Sequence, residues 1–378
     1  MKPYLIVASD VVKTGGMDRA NYAVSEYLAR REIEVHIVAH RVSNDLVRYP
    51  NVFFHQMPKI AGSYFLSSPL LDYAGRYWAR KLLKRGGRVV VNGGNCAVGD
   101  VNWVHYVHAA GGFYASNSLI HSLKDRLERK WALMQERRIV RRARVVVATC
   151  EKMKREVIEY LAVPENRVHL VYLGIDTDLF RPISSETRRR VRQKFGLPPD
   201  RPIVIFIGAL GNRRKGFDVL LNSWKMLCRE SGWDAHLVVV GAGAEISFWQ
   251  RQATISGVAD RVRFFGFLSN VPELLAACDL LVLPSRYEPY SLVVQEALCC
   301  GLPAFVSASA GIAERYPKEL AGLLLPNPED PIDLAQRLKR WRSDQEGYQK
   351  AVSEFSKLLR SWTWEDMARE MVGVIESS

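Results

Sequence analysis

The stretch that decides the fold is Glu288-Pro-Tyr-Ser-Leu-Val-Val-Gln-Glu296-Ala-Leu-Cys-Cys-Gly301-Leu-Pro303. It follows the apolar run Leu280-Leu-Val-Leu-Pro284, which is typical of a buried strand that ends at a proline. Residues 291–300 then predict a helix, with Ser291 as its N-cap and with Gly301 and Pro303 as stop signals. The free N–H groups and the dipole at such a helix N-terminus favour an anion, for example a phosphate.

Two carboxylates flank this predicted helix N-terminus. Glu288 lies in the loop, and Glu296 lies about two turns into the helix. A carboxylate in a loop can accept hydrogen bonds from sugar hydroxyls, and a carboxylate on a helix can hold a ribose diol. The pair therefore fits a nucleoside diphosphate sugar, although two glutamates at a strand–loop–helix junction are also common on the solvated surface of α/β proteins.

Length and charge limit the classes of protein. A chain of 378 residues predicts two domains, each large enough to bury its own core. The net charge of +13 is uneven, because residues 1–182 carry 28 Lys and Arg against 17 Asp and Glu, whereas the remainder carries 25 against 23. This asymmetry indicates an acidic partner for the first half. A Lys/Arg–aromatic pattern typical of a nucleic-acid-binding module is missing, so a nucleic acid is not expected.

Membrane and redox signals point to a reduced cytoplasmic protein. No apolar run reaches the roughly 20 residues that span a bilayer, and the apolar opening at residues 4–8 predicts a first strand rather than a signal peptide. The six cysteines form no Cys-x-x-Cys pair with a nearby histidine, so neither disulfides nor a structural zinc site is expected.

Both halves alternate apolar strand patterns with amphipathic helix patterns, which predicts parallel sheets with helices on both faces. The first half includes a strand at residues 4–8, a helix at 18–31 and a basic helix at 69–85. The apolar rhythm is lost over residues 182–190, so we place the domain boundary there. The second half begins with a strand at 203–207 and ends in three helix patterns.

In each half of the chain, a glycine-containing loop follows the first strand. Gly15-Gly16 joins a strand to a helix, where glycine permits positive φ and lets the backbone approach a ligand. A simple tight turn would have the same sequence. In the second half, the loop from Gly208 to Asp218 carries Arg213, Arg214 and Lys215. Cations at the carboxyl edge of a parallel sheet are placed to bind an anionic ligand.

These motifs, in this order, resemble those of the family 4 (GT4) retaining glycosyltransferases. The 288–303 stretch resembles the family's Glu-x7-Glu motif, and residues 214–218 resemble its Arg-Lys-Gly-x-Asp version of the phosphate-binding loop. Residues 173–182 and Trp362-Thr-Trp364-Glu resemble the segments that lead into and out of the second domain. One departure is Ala209, which stands where most members have an arginine.

The resemblance assigns roles to individual residues. It implies that Arg214, Lys215 and the backbone amides of Tyr290, Ser291 and Leu292 stabilise the diphosphate, with Arg213 on the surface. It further implies that Glu288 and His108 position the transferred sugar and that Glu296 holds the ribose. Gly15 and Gly16 would close over the phosphates, and the backbone after Gly266, at Phe267 and Leu268, would contact the nucleobase. His108, Glu288 and Lys215 are the expected catalytic residues, and His105 is the alternative to His108.

The implied fold is GT-B, an α/β architecture of two Rossmann-like domains with parallel sheets facing across a cleft. We expect residues 1–182 to bind the acceptor, residues 183–361 to bind the nucleotide sugar, and residues 362–378 to form a helix that crosses back to the first domain. No cofactor or metal is expected, because no Asp-x-Asp or third metal ligand accompanies the histidines. The donor would be a UDP- or GDP-linked sugar and the acceptor a glycan or a lipid-linked sugar.

Two other functions share these motifs. A GT-B sugar-nucleotide epimerase would need no acceptor, and a catalytically idle donor-binding protein would bind without turnover. The basic first half adds a further expectation. Residues 76–85 mix aromatic residues with cations, and residues 124–144 carry nine Lys and Arg against three acidic residues. A solvated helix face has the same pattern, but an anionic membrane surface or an acidic glycan intermediate is the partner that would explain the charge.

Overall fold

The computed structural model describes residues 2–112, 119–268 and 270–378, and within the helix that begins at Leu119 it describes side chains from residue 126 onward. The chain forms two compact units. One contains residues 2–112, Leu123–Gly174 and Thr363–Ser378, and the other contains Ile175–Trp362. Each unit is built around its own parallel sheet.

The first unit contains a seven-stranded parallel sheet and a small two-stranded one. In chain order its strands are β1 (Tyr4–Val7), β2 (Asp10–Val11), β3 (Val35–Ala39), β4 (Arg41–Val42), β5 (Val52–Gln56), β6 (Arg88–Asn92), β7 (Val101–Val104), β8 (Val145–Ala148) and β9 (Val168–Leu170). The large sheet has the order β5-β3-β1-β6-β7-β8-β9. The order reverses between β1 and β6, and ligands of open α/β sheets bind at the carboxyl end of such a switch point.

Strand β7 was not predicted from the sequence, because it is short and carries a polar residue at its centre. Asn102 is fully buried, and its side chain pairs with the backbone N–H and C=O of Gly93 at 2.9 and 2.8 Å. These bonds satisfy the buried amide and hold the loop that follows β6 at the switch point.

Four helices lie between the strands that precede Gly174: α1 (Gly16–Ala29), α2 (Tyr64–Leu83), α3 (Leu119–Val140) and α4 (Glu151–Leu161). Helix α2 begins five residues before the predicted start at Pro69, because Ser63 caps it by accepting a hydrogen bond from the N–H of Leu66 at 3.3 Å. One face of α2 packs on the sheet through Leu71, Ala79 and Leu82.

The second unit repeats the layout with six strands: β10 (Ile203–Ile207), β11 (His236–Val240), β12 (Val262–Gly266), β13 (Leu280–Leu283), β14 (Ala304–Ser307) and β15 (Leu324–Leu325). Their order is β12-β11-β10-β13-β14-β15, and every pairing is parallel. The switch point lies between β10 and β13. The loops that follow these two strands carry Lys215 and Glu288, so the topology brings the two predicted motifs to one sheet edge.

The helices of this unit are α5 (Ser185–Lys194), α6 (Phe217–Leu227), α7 (Ile246–Ile255), α8 (Val271–Ala277), α9 (Leu292–Cys299), α10 (Pro331–Ser343) and α11 (Gln345–Arg360). Helix α5 replaces the linker expected at residues 182–190. Its buried residues are Val191 and Arg192, and the Arg192 guanidinium donates to Asp279 at 2.7 Å and to the carbonyls of Ala277 and Pro199. Because this anchor is polar, no apolar periodicity marks the helix in the sequence.

The unit boundary lies at Gly174, eight residues before the boundary predicted at residue 182. Gly174 contacts the backbone of Thr363 so closely that a Cβ would lie 2.5 Å from its atoms. Thr363 caps the last helix, α12 (Trp364–Ser377), in a capping box with Asp366. Helix α12 packs against α1 in the first unit, where Glu376 accepts a hydrogen bond from the hydroxyl of Tyr4 at 2.6 Å.

Candidate functional site

The loop after β10 is shaped by a short 3-10 turn, Arg213–Lys215, and a glycine. The side chain of Asn212 caps the turn by accepting from the N–H of Arg214 at 3.1 Å. Gly216 has φ 74°, and a Cβ there would lie 1.8 Å from the carbonyl oxygen of Pro284. Only glycine fits this position, and its absence of a side chain lets the loop pack directly on the end of β13.

Lys215 and Glu288 form an ion pair across the two loops. The ammonium of Lys215 lies 2.5 Å from Glu288 Oε2, which also accepts from the hydroxyl of Ser285 at 3.3 Å. Glu288 is 6% exposed. Burial opposes its charged form, but the charges of Lys215 and Arg214 outweigh burial and hold the pKa of Glu288 below its usual value. The predicted phosphate cation and the predicted sugar carboxylate are therefore direct partners.

Arg214 and Arg286 connect the loop after β10 to the loop after β13. Arg214 donates to the backbone carbonyl of Tyr287 at 3.1 Å. Arg286 makes a two-pronged pair with Asp218, with both distances 2.8 Å. Arg213 is exposed, as expected, and Ala209 is exposed in the loop where an arginine was expected. The sequence analysis placed Asp218 in a motif but missed its pairing with Arg286, because 68 residues separate these complementary charges.

The N-terminus of α9 differs from its prediction. The helix begins at Leu292, and Ser291 precedes it with φ 87° instead of capping it with its side chain. The Ser291 hydroxyl oxygen is buried and has no hydrogen-bond partner among the described residues. The backbone is rare for serine, and such positions concentrate at functional sites. Tyr290 is buried, with its hydroxyl bonded to Gln295 and Arg315.

Glu296 lies one turn into α9 and is partly exposed. Burial raises the pKa of its carboxyl to about 7. The carboxyl therefore changes charge near neutral pH, which makes any ligand bound through it sensitive to pH.

Gly266 ends β12 at the edge of the sheet and Phe267 and Leu268 follow it, with β11 between this strand and β10. Gly266 has φ 68°, and its carbonyl accepts from the N–H of Gly241 at 2.8 Å. Phe267 is 77% exposed. The segment thus shares the carboxyl edge of the sheet with Lys215 and Glu288 but is two strands away from β10.

In the first unit, His108 is oriented by a buried carboxylate that the sequence analysis had counted only as one acid on a basic helix. Glu136 on α3 accepts from the His108 backbone N–H at 2.9 Å and lies 3.0 Å from its Nδ1. Glu136 is 1% exposed. The only sequence signal is an acid within Gln135-Glu-Arg-Arg138, where solvated pairing with arginine is the ordinary interpretation.

His105 and the Gly15-Gly16 loop lie in the same unit. Burial lowers the pKa of His105 to about 3, so this imidazole is neutral. Gly15 has φ 81° and precedes α1, with the Asp18 carboxylate 3.4 Å from where its Cβ would be. Burial and the charge of Asp10 raise the pKa of Asp18 to about 6. A phosphate bound at this loop would therefore meet a carboxyl group, so the predicted phosphate role of Gly15 and Gly16 stays a prediction.

Each unit thus carries its own group of predicted site residues. Arg214, Lys215, Glu288 and the start of α9 come together in the second unit, whereas His108, Gly15 and Gly16 lie in the first. Among the described residues, no group of three or more His, Cys, Asp or Glu could hold a metal ion. Over the same part of the chain, no helix combines the length and the apolarity that crossing a membrane requires.

Comparison with known families matches nearly the whole chain. The family model described as "Glycosyl transferases group 1" matches residues 187–357, and the model "Glycosyltransferase Family 4" matches residues 14–179. The first match lies within the unit that carries Lys215 and Glu288, and the second covers most of the unit that carries His108.

Individual proteins agree with these models. The chain is 28% identical over 268 residues to the mannosylfructose-phosphate synthase of Agrobacterium fabrum, in a match that covers 65% of this chain and 56% of the relative. For three curated relatives the chain spans little more than half of their length, between 55% and 59%.

Solved structures show the same fold. The sucrose-phosphate synthase of Thermosynechococcus elongatus superposes with a TM-score of 0.80 at 20% identity, over 100% of this chain and 99% of the other. Anabaena HepE, solved in complex with UDP-glucose, superposes with a TM-score of 0.72 at 17% identity over 100% of both chains. At these identities the likeness shows the fold.

Proposed function

Because the chain belongs to the group 1 glycosyltransferases of family 4 and has the GT-B fold, we propose that it transfers a hexose-type sugar, with retention at the anomeric carbon, from a nucleoside diphosphate sugar to a glycan or a lipid-linked acceptor. In the overall reaction, the bond from the anomeric carbon to the diphosphate oxygen breaks and a bond to an acceptor oxygen forms. The acceptor's proton and the nucleoside diphosphate are released.

The Lys215–Glu288 pair is the observation that carries this proposal. Departure of the diphosphate places negative charge at the carboxyl edge of the second sheet, where Lys215 and Arg214 lie in the loop after β10. Preorganised cations at the position where charge develops are the largest single contribution to many enzymatic rates. Glu288 keeps Lys215 in place before the donor arrives and offers a carboxylate to the sugar hydroxyls.

The donor is a UDP- or GDP-sugar on this proposal, and no cofactor takes part. The structure of Anabaena HepE contains UDP-glucose, which supports a uridine nucleotide for a chain of the same fold. Lys215, Arg214 and the N-terminus of α9 supply the positive potential that a divalent metal supplies in other phosphate-transfer sites.

The reaction is tested by following UDP and GDP release from a panel of nucleotide sugars, with and without glycan acceptors. We expect release only when an acceptor is present, and we expect it to continue in EDTA. A sugar-nucleotide epimerase would convert the donor without an acceptor, and an idle binding protein would be stabilised by a nucleotide without releasing it. Loss of turnover in EDTA and its recovery with manganese would contradict the metal-independent reaction.

Donor affinity is expected to depend on pH through Glu296. The ionised carboxylate accepts hydrogen bonds from both ribose hydroxyls, so the nucleotide binds the ionised form more tightly. Because burial raises the pKa of Glu296 to about 7, affinity for the nucleotide should rise between pH 6 and pH 8. One pH unit below that pKa, the affinity should be about tenfold lower than that of the fully ionised enzyme.

The measurement is the dissociation constant for UDP or GDP by calorimetry across this pH range. Glu296→Gln keeps the shape but cannot ionise, so it should bind more weakly at pH 8 and lack the Glu296 component of the pH dependence. Glu296→Ala should likewise weaken donor binding with little change in kcat. Identical pH profiles for the wild type and Glu296→Gln would contradict a role for this carboxylate.

We also propose that the first unit docks on an anionic membrane surface. Helix α2 exposes a stripe at helical spacing, Leu66, Leu70, Tyr73 and Tyr77, and these side chains are 50%, 39%, 68% and 47% exposed. Cations follow the stripe at Arg80, Lys81, Lys84 and Arg85, and all four are exposed. Tyrosine and leucine beside cations are the composition of surfaces that insert at lipid headgroups.

A second cationic surface lies at the end of α3 and in the turn that follows it, where four exposed arginines line an open groove of about 740 Å³ together with Leu133, Met134 and Tyr160. The four are Arg137, Arg138, Arg141 and Arg142. Each cation near anionic lipid contributes about 1 kcal/mol, so four of them suffice for reversible attachment.

Co-sedimentation with vesicles should therefore show binding to anionic lipid that is lost in high salt, because the Debye length falls from about 10 Å at 0.1 M to about 3 Å at 1 M salt. Replacing Arg137, Arg138, Arg141 and Arg142 by glutamine should abolish most of this binding. The matched control changes four exposed arginines of the second unit, Arg189, Arg190, Arg229 and Arg251, to glutamine. Equal binding by both variants, or by neutral vesicles, would reject the proposal.

A further inference from the structure

A cavity of about 320 Å³ opens at the switch point of the first sheet. Its floor comes from the loops after β1 and β6, at Ser9 and Asn92–Asn95, and its walls come from α2 and α3. His108, the predicted catalytic histidine, lines it together with Glu136. The cavity has the size of a site for one or two sugar rings, so the groups that line it bear on what the enzyme accepts.

His40 lines this cavity and has a buried ring nitrogen without a hydrogen-bond partner among the described residues. It is 3% exposed, and its Nδ1 lies 3.1 Å from the carbonyl oxygen of Met57. A carbonyl only accepts, so Nδ1 carries the proton and Nε2 is left with a lone pair. Nε2 is buried and has no hydrogen-bond partner within the described part of the chain. A buried acceptor without a partner is costly, and a ligand hydroxyl would satisfy it.

Two more imidazoles face the cavity in a similar state. His105 is neutral, and its buried Nε2 lacks a partner among the described residues. The Nδ1 of His108 is engaged by Glu136, which leaves Nε2 as the ring nitrogen for a ligand. Three histidines with ring nitrogens left for a ligand match a molecule with several hydroxyl groups.

The charge of the described lining residues favours an uncharged ligand over a phosphorylated one. Among the described residues that line the cavity, none is Lys or Arg, and the one carboxylate is Glu136. A phosphate bound among these residues would lose its hydration and face a carboxylate, without a cation from the described lining to pair with it. Burying such a charge without a partner is strongly unfavourable.

Aromatic side chains complete the lining. Tyr64 and Phe65 from α2 and Trp131 from α3 line one side, with the rings of Phe65 and Trp131 edge to face at 5.3 Å. The hydroxyl of Tyr64 is already bonded to Asp10 at 2.6 Å, and the Lys59 ammonium lies 3.3 Å from the centre of its ring, so Tyr64 can offer a ligand only the other face of the ring. Aromatic rings beside hydrogen-bonding groups, as Tyr64 lies 5.8 Å from the His40 ring, suit a pyranose, which has an apolar C–H face and a rim of hydroxyls.

We infer that this cavity binds the acceptor as an uncharged saccharide unit and that His40 Nε2 accepts one of its hydroxyls. The inference rests on the proposed transferase function and narrows it. Any phosphate of a lipid-linked acceptor then lies outside the cavity. An uncharged acceptor would also distinguish the product of this chain from those of mannosylfructose-phosphate synthase and sucrose-phosphate synthase, whose names specify phosphorylated products.

The test compares hexoses and disaccharides with the same sugars carrying a 6-phosphate. Binding to the full chain is measured by ligand-observed NMR at millimolar concentration, and transfer is measured with the donor selected by the nucleotide screen. We expect binding and transfer with uncharged sugars and neither with their phosphates. Preference for the phosphates would overturn the inference, as would a failure of every sugar to bind.

His40→Asn removes Nε2 and keeps an N–H donor near the Met57 carbonyl. It should raise KM for the acceptor about tenfold, the size of one lost hydrogen bond, and leave nucleotide affinity unchanged. His169→Asn, outside the cavity, is the control. Gln135→Lys places a cation in the lining and should introduce binding of the 6-phosphates. Unchanged acceptor KM in His40→Asn would overturn the role of His40.

These outcomes stay distinct from failure of the proposed function. If no nucleotide binds and no sugar is transferred, the transferase proposal fails, whether or not sugars bind in the cavity. If nucleotides bind to the second unit while only phosphorylated sugars are bound or used, the transferase proposal survives and the inference about the cavity is wrong.

Discussion

Replacing Lys215 by alanine is expected to lower kcat by on the order of 100-fold or more, because its charge stabilises the departing diphosphate more than the bound donor. The structure adds a second consequence. Glu288 would keep its buried carboxyl but lose the ammonium that lies 2.5 Å from it, so its pKa should rise toward and above the ordinary value. The variant should therefore also unfold at a lower temperature, because a buried charge is left without its partner.

The double variant Lys215→Ala with Glu288→Gln separates the two effects. Its unfolding temperature should return to that of the wild type, because the buried charge of Glu288 has been removed, while kcat stays low. Arg213→Ala is the matched control, because Arg213 is exposed in the same loop. Steady-state kinetics and thermal unfolding provide the measurements. An inactive Arg213→Ala beside a fully active Lys215→Ala would show that the phosphate cation has been assigned to the wrong residue.

The second large effect is expected at His108. His108→Ala should lower kcat on the order of 100-fold, since loss of a group that positions the transferred sugar misplaces the reacting atoms. Glu136→Gln should lower it about tenfold, because the amide can accept from Nδ1 or from the backbone N–H of His108 with one oxygen only. Nucleotide affinity should stay unchanged in both, because neither His108 nor Glu136 is among the residues predicted to contact the nucleotide.

The control for this pair is Glu159→Gln on α4, which changes an exposed carboxylate of the same unit. The readouts are kcat and acceptor KM at fixed donor, together with UDP or GDP affinity. A normal kcat in His108→Ala would indicate that His105, which lines the same cavity, positions the transferred sugar instead. A Glu136→Gln variant as active as Glu159→Gln would show that orientation by Glu136 does not matter.

Much of the fold was predictable because it depends on local chemistry. Apolar runs such as 203–207 and 280–283 lie in buried strands, and their alternation with helix patterns gave the two parallel sheets. The order of the motifs along the chain was enough to predict GT-B, which the likeness to solved structures confirms. Gly216 is a local requirement too, since its positive φ and the contact with Pro284 admit only glycine.

Partnerships between distant residues were not predictable. Lys215 and Glu288 were both expected in the site, but their ion pair spans 73 residues. Glu136 had the sequence context of a solvated helix face, and only its burial against His108 shows a positioning role. Helix α5 was missed because a buried Arg192–Asp279 pair, 87 residues apart, anchors it in place of an apolar stripe.

Ser291 shows the same limit at a single position. Serine before a helix predicts a side-chain cap, yet this residue has φ 87° and its hydroxyl does not cap α9. The sequence by itself determined which loops carry charge and which segments form strands and helices, because propensity and periodicity act over a few residues. The tertiary structure decided which charges pair, which are buried and which polar atoms stay without a partner, because those depend on segments far apart in the chain that folding brings into contact.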